Sequence, residues 1–502
     1  MTEDELEIAY ERIDEHNLSG RNRKEYEELG EIFVDNEKKL DLVVDLNPSL
    51  SYTPLWRELS NKDFIRPYQD IPAFFNYGIR PSFFDNAYIE LIHDHGNEDY
   101  VYDYGDRLLS ESGTNNGIHL SSFEWRYSFR GENGKPGPEF GLWPSIARAA
   151  VGTKGFSAIM GRTRQSFGSG ITGNLLMDDN FRYQEALSLA FYNGELLYRL
   201  SLTTFDTQDS DGIINPVNFT DLQNIRVIHR GEISAFDKFR AALNFSVMMY
   251  VPNGLDIRYF VPLMMVHSWY NMEESILLKD DVYDEANNAF GVELETVVLP
   301  GLAIYAQVLV DQIATKAEGD NPVVPNAYGF LANASYLKGF APFDAEFYVE
   351  GYYSYPSLYL NKKLNPDGTK NWNYDWIVGY RRDGYYGDID YSGHRYGPDT
   401  KMLLAGLELS FTEIGLKTRH EFEYKITGEM DKFDSEYEFK VMTPTGIPET
   451  RLSYRSFNEY MPMDNLKLSL DYELGLWINY AHKEGHNRFI PQIHFGVSWV
   501  II

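Results

Sequence analysis

Aromatic side chains crowd one stretch of this chain. Trp372, Tyr374, Trp376, Tyr385, Tyr386, Tyr391 and Tyr396 lie between Pro356 and Thr400, interleaved with Gly, Asp and Arg. Such a composition suits sugar recognition, because aromatic faces stack on sugar C–H faces while carboxylates and guanidinium groups hydrogen-bond the hydroxyls. It also suits an aromatic girdle with a self-packed loop. Two basic pairs come next. His229-Arg230 can contact a ligand or move a proton, yet no nucleophile or paired acid stands nearby at a recognisable spacing, so an interior polar network is the simpler reading. Arg162 and Arg164 flank Thr163 and share one strand face, where they can pair with acids or hold an anion. Asp206, Asp209 and Asp211 before Gly212 resemble part of a calcium loop, but the spacing and terminal Glu of an EF-hand are missing, and an ordinary acidic loop explains them. No serine elbow, zinc motif, P-loop or dinucleotide fingerprint is present. No catalytic residue, metal or cofactor is therefore assigned, and the chain is read as a non-enzyme.

The elements that position these residues are strands. From Leu466 to Tyr480 the chain alternates Leu466, Leu468, Leu470, Tyr472, Leu474, Leu476, Ile478 and Tyr480 with Lys467, Ser469, Asp471, Glu473, Gly475, Trp477 and Asn479. A period of two puts the apolar set on one face and the polar set on the other. Ile493, Phe495, Val497, Trp499 and Ile501 repeat the pattern at the end of the chain. Around Phe347 and Val349 the second face carries Asp344, Glu346 and Glu350, which a dry core would not accept without partners but a solvated lumen would. The 502 residues include 37 Tyr, 31 Phe and 40 Gly, the mixture expected when alternate residues meet lipid and aromatic belts mark the interfaces.

No run reaches the ~20 apolar residues of a membrane helix. The most apolar short segments, Phe245 to Val251 and Phe260 to Val266, are each interrupted soon after. The net charge of -30 excludes a nucleic-acid partner, which would need a basic face. Cysteine is absent, so no disulfide framework or thiolate metal site exists. Residues 3 to 16 and 22 to 40 read as two short polar helices, so residues 1–41 are expected to form a periplasmic or plugging helical segment and 42–502 a transmembrane barrel. The start at Met1-Thr2-Glu3-Asp4 lacks a signal-peptide pattern, and removal of a secretory signal is inferred.

Short turn signals at Asn193-Gly194, Ser234 to Asp237, Pro300-Gly301, Lys338 to Pro342 and Glu413 to Leu416 alternate with longer stretches near 207–221, 252–287, 313–325 and 356–400. Outer-membrane barrels sort their connections in this way, with short periplasmic turns and long extracellular loops. Parity requires one further strand late in the chain, for which Tyr437, Phe439 and Val441 are candidates; the Lys483 to Asn487 turn then becomes extracellular. With residues 72 to 93 counted as one irregular strand, the expected fold is all-β: an antiparallel barrel of about 18 strands, give or take about two.

Several segments, taken together, resemble the Wzi-type capsule-assembly family of outer-membrane β-barrel proteins. Met160-Gly161-Arg162, Phe167-Gly168-Ser169-Gly170 and Asn174-Leu175-Leu176 are similar to its glycine-rich stretch, and Val227 to Ile233, with His229-Arg230, to its "HRLEI" strand. Arg258-Tyr259-Phe260-Val261-Pro262-Leu263 resembles "RYLNPL", Asn288 to Asp311 its "LPGGLELYGQLL" hairpin, and Tyr396-Gly397-Pro398-Asp399 a late "GPDA" element. This sequence has Phe167 and Ser169 where the family has Trp and Pro, and Gly231 where Leu is usual. The resemblance implies a barrel of about 18 strands that holds capsular or other surface polysaccharide, with Gly161, Arg162, His229, Arg230 and Asp311 as motif positions of structural character. The expected partners are outer-membrane lipid and surface polysaccharide, in the bacterial outer membrane; oligomeric state stays open. The alternative is a porin or solute channel with an acidic lumen.

Overall fold

A computed structural model describes residues 40–501 except 55–58, 60, 68–69, 84–85, 96–101, 104–106, 109–117, 121–143, 145, 182, 207–222, 237, 251–259, 262–285, 313–325, 365–369, 375–376, 383–385 and 430–442. The expected helices therefore fall outside the described residues, apart from Leu40 and Asp41, which open a strand instead.

Eighteen antiparallel strands form one closed barrel. They are β1 (Leu40–Leu46), β2 (Phe75–Phe83), β3 (Ala87–His95), β4 (Ile146–Thr153), β5 (Phe156–Thr163), β6 (Gln184–Tyr192), β7 (Leu196–Asp206), β8 (Gln223–Ala235) and β9 (Phe239–Tyr250). The ring continues with β10 (Ala286–Leu299), β11 (Leu302–Gln312), β12 (Ala327–Phe340), β13 (Phe343–Ser354), β14 (Thr400–Phe411), β15 (Leu416–Thr427), β16 (Glu449–Met463), β17 (Leu466–Ile478) and β18 (Arg488–Val500). Each strand pairs with its sequence neighbours, which leaves no edge to satisfy in lipid. No helix among the described residues is long and apolar enough to cross a membrane.

Closure is shared between two pieces of chain. β1 pairs along β2 from Leu40↔Pro81 to Leu46↔Phe75 but meets β18 only at Asp45↔Val500 and Leu46↔Trp499. Past Asn47-Pro48, the short strand Ser49–Tyr52 takes over, pairing with Gly496 to Ile493 on one side and with Ile118–Leu120 on the other. Asn47 fastens the handover: its side chain donates to the Ala73 carbonyl at 3.0 Å and accepts from Ser498 Oγ at 2.5 Å.

Two strand assignments differ from the sequence reading. Residues 72 to 93 hold parts of two strands, β2 and β3, because Pro81 and the Asp85-Asn86 pair interrupt the apolar alternation of the sequence. The late strand that parity demands is Glu449–Met463, paired on both sides with β15 and β17; Tyr437, Phe439 and Val441 lie outside the described residues.

Connections sort by rim. One rim carries 84–86, 154–155, 193–195, 236–238, 300–301, 341–342, 412–415 and 464–465; the other carries 47–74, 96–145, 164–183, 207–222, 251–285, 313–326, 355–399, 428–448 and 479–487. At Pro300-Gly301 the glycine adopts φ 82°, and a Cβ there would strike the Leu337 carbonyl, so the tight turn depends on glycine.

The wall has its apolar face outward. On β17, Leu470 and Leu474 are each 47% exposed while Asp471 and Glu473 are 0% exposed. The same inversion puts Leu243, Leu294, Phe347, Leu403 and Phe422 outside, with Glu293, Glu350, Glu423 and Arg451 inside. This is the pattern lipid imposes on a barrel wall. Leu470→Arg is expected to lower stability in bilayers by roughly 2 to 4 kcal/mol for a midplane position; an unchanged urea midpoint and folding yield in liposomes would remove Leu470 from the lipid face.

Candidate functional site

The lumen is filled by chain, and the filling is built from segments that break the period of two. Between β5 and β6, residues 164–183 turn inward, burying Phe167, Leu175, Leu176, Met177 and Phe181 against Leu309, Leu331, Tyr352 and Tyr359. Glycine makes the path: Gly168 and Gly173 adopt φ 131° and 141°, and a Cβ on the first would strike Asn174 and the Tyr305 hydroxyl, on the second the Asp178 carboxylate.

Inward-facing side chains of the wall then saturate the insert's backbone. Gln307 accepts from Leu175 N at 2.7 Å and donates to the Phe167 carbonyl at 3.2 Å. Glu350 accepts from Ile171 N at 2.6 Å and from Thr172 N at 2.8 Å, and Asn333 donates to the Ser169 carbonyl at 2.8 Å. A second inward segment, 391–399, meets the first: Asn180 donates to the Tyr391 and Gly393 carbonyls at 2.8 and 2.7 Å. Tyr359 donates to the Leu175 carbonyl at 2.6 Å, and its own N–H reaches Asp311 at 2.8 Å.

A third segment enters between Ser49–Tyr52 and β2. Its Leu59, Phe64 and Ile71 pack on Trp477, Tyr480 and Ile490. Its charges join a buried network on β15 to β17: Arg66 pairs with Asp471 at 2.6 Å, Asp63 with Arg451 at 3.4 Å and Lys425 at 3.6 Å, while Arg451 holds Glu473 at 2.5 Å and Arg455 holds Glu423 at 2.8 Å. Buried charges survive when paired in this way.

Thr172, His394 and Glu350 lie together but do not form an activated nucleophile. The Tyr396 N–H donates to His394 Nδ1 at 3.3 Å, which leaves Nε2 as the protonated nitrogen, facing Thr172 Oγ1 at 3.0 Å. The imidazole thus donates to the hydroxyl instead of taking its proton, and the hydroxyl donates to Glu350. Burial and Arg395 hold the His394 pKa well below the ordinary value, so the ring is neutral and stacks on Tyr352 at 3.9 Å. Among the described residues no group of acids and histidines is arranged to hold a metal ion.

The described residues leave a cavity of about 240 Å³, lined by Asp70, Arg164, Asp178, Asp179, Arg395 and the backbone from Gly168 to Gly173. Arg164 pairs with Asp179 at 3.1 Å and Asp70 at 3.5 Å. Burial, with Asp179 adding to it, lifts the Asp178 pKa to about 7, against the opposing Ser166 hydrogen bond and the Arg395 charge. An acid whose folded pKa exceeds its unfolded value stabilises the fold in acid, fully below about 4 and less as pH rises through about 7. Proteolysis within 164–183 is therefore expected to be faster at pH 8 than at pH 5, and Asp178→Asn to flatten that difference; an unaltered pH profile in the variant would clear Asp178.

The residues singled out from sequence divide between this interior and elsewhere. Gly161 adopts φ 127° where a Cβ would strike the Ala147 carbonyl; Arg162 pairs with Glu185 at 2.6 Å and lies over the Tyr183 ring at 4.3 Å. His229 Nδ1 meets the Tyr198 hydroxyl at 2.6 Å, and Arg230 bridges Glu293 at 2.5 Å, Glu232 at 2.9 Å and Asn244 at 3.1 Å. Tyr391 and Tyr396 are buried in the filled lumen, the latter donating to Glu423 at 2.5 Å, so neither is on an outer surface. Trp372 and Tyr374 belong to the strand Lys370–Tyr374, paired with Leu360–Leu364, and Tyr386 opens Tyr386–Tyr391, paired with Ile377–Arg382. Trp376, Tyr385, Asp209, Asp211 and most of 258–263 lie outside the described residues. Sequence reasoning passed over Asp178, Gln307, Tyr359, His394 and Arg395; the glycine cluster at 168–173 ending in two aspartates was the available signal.

No protein-family model and no curated protein matches this chain. Among solved structures it is similar to Wzi of Escherichia coli, an outer-membrane protein involved in group 1 capsule assembly and a carbohydrate-binding β-barrel: the TM-score is 0.57 at 12% identity, covering 99% of this chain and 92% of Wzi. The DcaP channel of Acinetobacter baumannii matches at TM-score 0.36 and 9% identity, and OpdK of Pseudomonas aeruginosa at 0.43 and 10%, each over 92% of this chain and 97% and 98% of their own. The chain has the fold of an outer-membrane β-barrel.

Proposed function

We propose that this barrel sits in the bacterial outer membrane and binds surface polysaccharide at its long-connection rim, and that it is not a solute channel. The observation that carries the reading is the filled lumen: three inward segments pack and hydrogen-bond where a channel would hold water. Wzi, whose fold this chain shares, is itself a carbohydrate-binding barrel, which supports the choice of ligand class. Long connections face outward from the cell in outer-membrane barrels, and the one from 355 to 399 carries the aromatic cluster.

The test pairs a loss of stacking with a check on folding. Trp372→Ala combined with Tyr386→Ala is expected to weaken polysaccharide binding by about thirtyfold, since each stacked ring is worth about 1 kcal/mol, while the barrel keeps its heat-modifiable gel mobility. Equal affinity of the folded variant and the wild type on a glycan array removes this loop from the mechanism. Steady single-channel conductance of a wild-type preparation that binds no glycan would replace the reading with a channel.

A further inference from the structure

We propose that the cavity between the 164–183 insert and Arg395 is a subsite for one acidic sugar residue, its carboxylate held by Arg395 and its hydroxyls by Asp70, Asp179 and the insert's backbone. This deepens the polysaccharide reading and rests on it. The decisive residue is Arg395. Arg395 lines the cavity and has no hydrogen-bond or ion-pair partner among the described residues; its Nε is buried without an acceptor, and its guanidinium lies 5.3 Å from the centre of the Tyr396 ring. Arg66, Arg230, Arg451 and Arg455 face the same lumen and each holds a carboxylate. A sequestered, unpaired guanidinium is costly, and a planar carboxylate satisfies its fork geometry.

Charge selects among anions. Three carboxyls line the cavity against two guanidiniums, and Arg164 is already engaged by Asp179 and Asp70. A dianion such as phosphate meets more repulsion there than a carboxylate does, and Asp178, with its pKa lifted to about 7, sheds part of the negative charge near neutrality. A neutral sugar would leave Arg395 unpaired. The remaining acids are acceptors without donors of their own, which suits a ligand rich in hydroxyls. The volume of about 240 Å³ lies just under the roughly 300–1,000 Å³ of sites for drug-sized ligands, the scale of a single sugar ring. Arg164 directly follows the last residue of β5 and Asp179 lies shortly before β6, so the cavity reaches from the ends of the insert, beside the long-connection rim, to its middle at Gly168 to Gly173.

Titration calorimetry on the full chain in detergent, with D-glucuronate, D-glucose and glucose 6-phosphate as probes, tests this directly. Glucuronate is expected to bind, and Arg395→Gln to weaken it roughly ten- to a hundredfold, the range of a charge-assisted hydrogen bond. Arg395→Lys keeps the charge without the fork and should fall between. The substituted side chain has no described hydrogen bond or ion pair to abandon, only its place over the Tyr396 ring, and heat-modifiable mobility verifies that the variants are folded. Glucuronate binding no tighter than glucose, tighter binding of the phosphate, or indifference to Arg395→Gln in the folded barrel overturns the subsite. A polyuronate such as alginate separates the two readings. Alginate binding that ignores Arg395 overturns the subsite and spares the polysaccharide function, whereas Arg395-dependent glucuronate binding without any polysaccharide binding supports the subsite and overturns that function.

Discussion

Replacing residues 166–181 by a short Gly-Ser linker is expected to turn a silent barrel into a conducting one. Thr163 and Gln184 are register partners at the ends of β5 and β6, about 5 Å apart as in any antiparallel pair, so a linker of a few residues rejoins the hairpin without disturbing the wall. What leaves is the insert that buries Leu175, Leu176, Met177 and Phe181 in the lumen. What stays is the ring of lumenal polar groups, Glu293, Gln307, Asn333 and Glu350, then open to water. A barrel of 18 strands is wide enough to enclose a water path once this part of its filling is removed. In planar bilayers the wild type should give no sustained current steps and the variant ohmic ones, cation-favouring because the charged members of this ring, Glu293 and Glu350, are acidic. Sustained steps from the wild type would end the plugged reading. A silent but folded variant would assign the seal to the two inward segments that remain, 391–399 and the one around Leu59 to Ile71.

Glu293→Ala should be among the most damaging single substitutions in the barrel. Glu293 accepts from Arg230 through both oxygens at 2.5 and 3.1 Å, from Asn244 at 2.7 Å and from the Tyr305 hydroxyl at 3.2 Å, and it is 3% exposed. Removing one partner of a buried ion pair leaves the other uncompensated, at about 3–5 kcal/mol. Glu232 remains beside Arg230 at 2.9 Å, which favours the lower end of that range. Tyr305 also borders Gly168, so losing its acceptor loosens the insert as well. Urea unfolding in liposomes reads the change, and the paired substitution Arg230→Met with Glu293→Leu should recover much of it, since replacing both charges removes the uncompensated one. A single variant as stable as the wild type would show that the network is solvated.

The wall was legible in the sequence because lipid and lumen impose a strict alternation. Leu470, Leu474, Asp471 and Glu473 point where a period of two puts them. Alternation failed where strands are short or irregular, as around Pro81 within β2, and there one strand was read for two. The interior was legible only as a departure from the pattern. A segment without alternation reads as a loop whether it projects into water or turns into the lumen, because nothing local records the direction. Tyr391 and Tyr396 illustrate this: their composition suggested a surface for sugars, and both are packed inside. Arg230 was easier, since a charged residue in a strand with Val227, Ile228 and Ile233 needs partners, and the inward acids of β8 and β10 supply them.

The handover at Asn47-Pro48 bears on how such a ring is assembled. Strands β2 to β18 can pair as hairpins one after another along the chain, but the second edge of β18 finds its partners in Asp45, Leu46 and Ser49–Tyr52, at the opposite end of the sequence. Contacts of such separation form late, because the loop they close is the whole protein. Until then the growing sheet carries two free edges, the feature that makes β-proteins prone to mispair and aggregate. The residues that finish the barrel are therefore among the last to acquire native contacts, and mutations at Asn47 or Ser498 should slow folding in lipid more than they speed unfolding if closure sets the barrier.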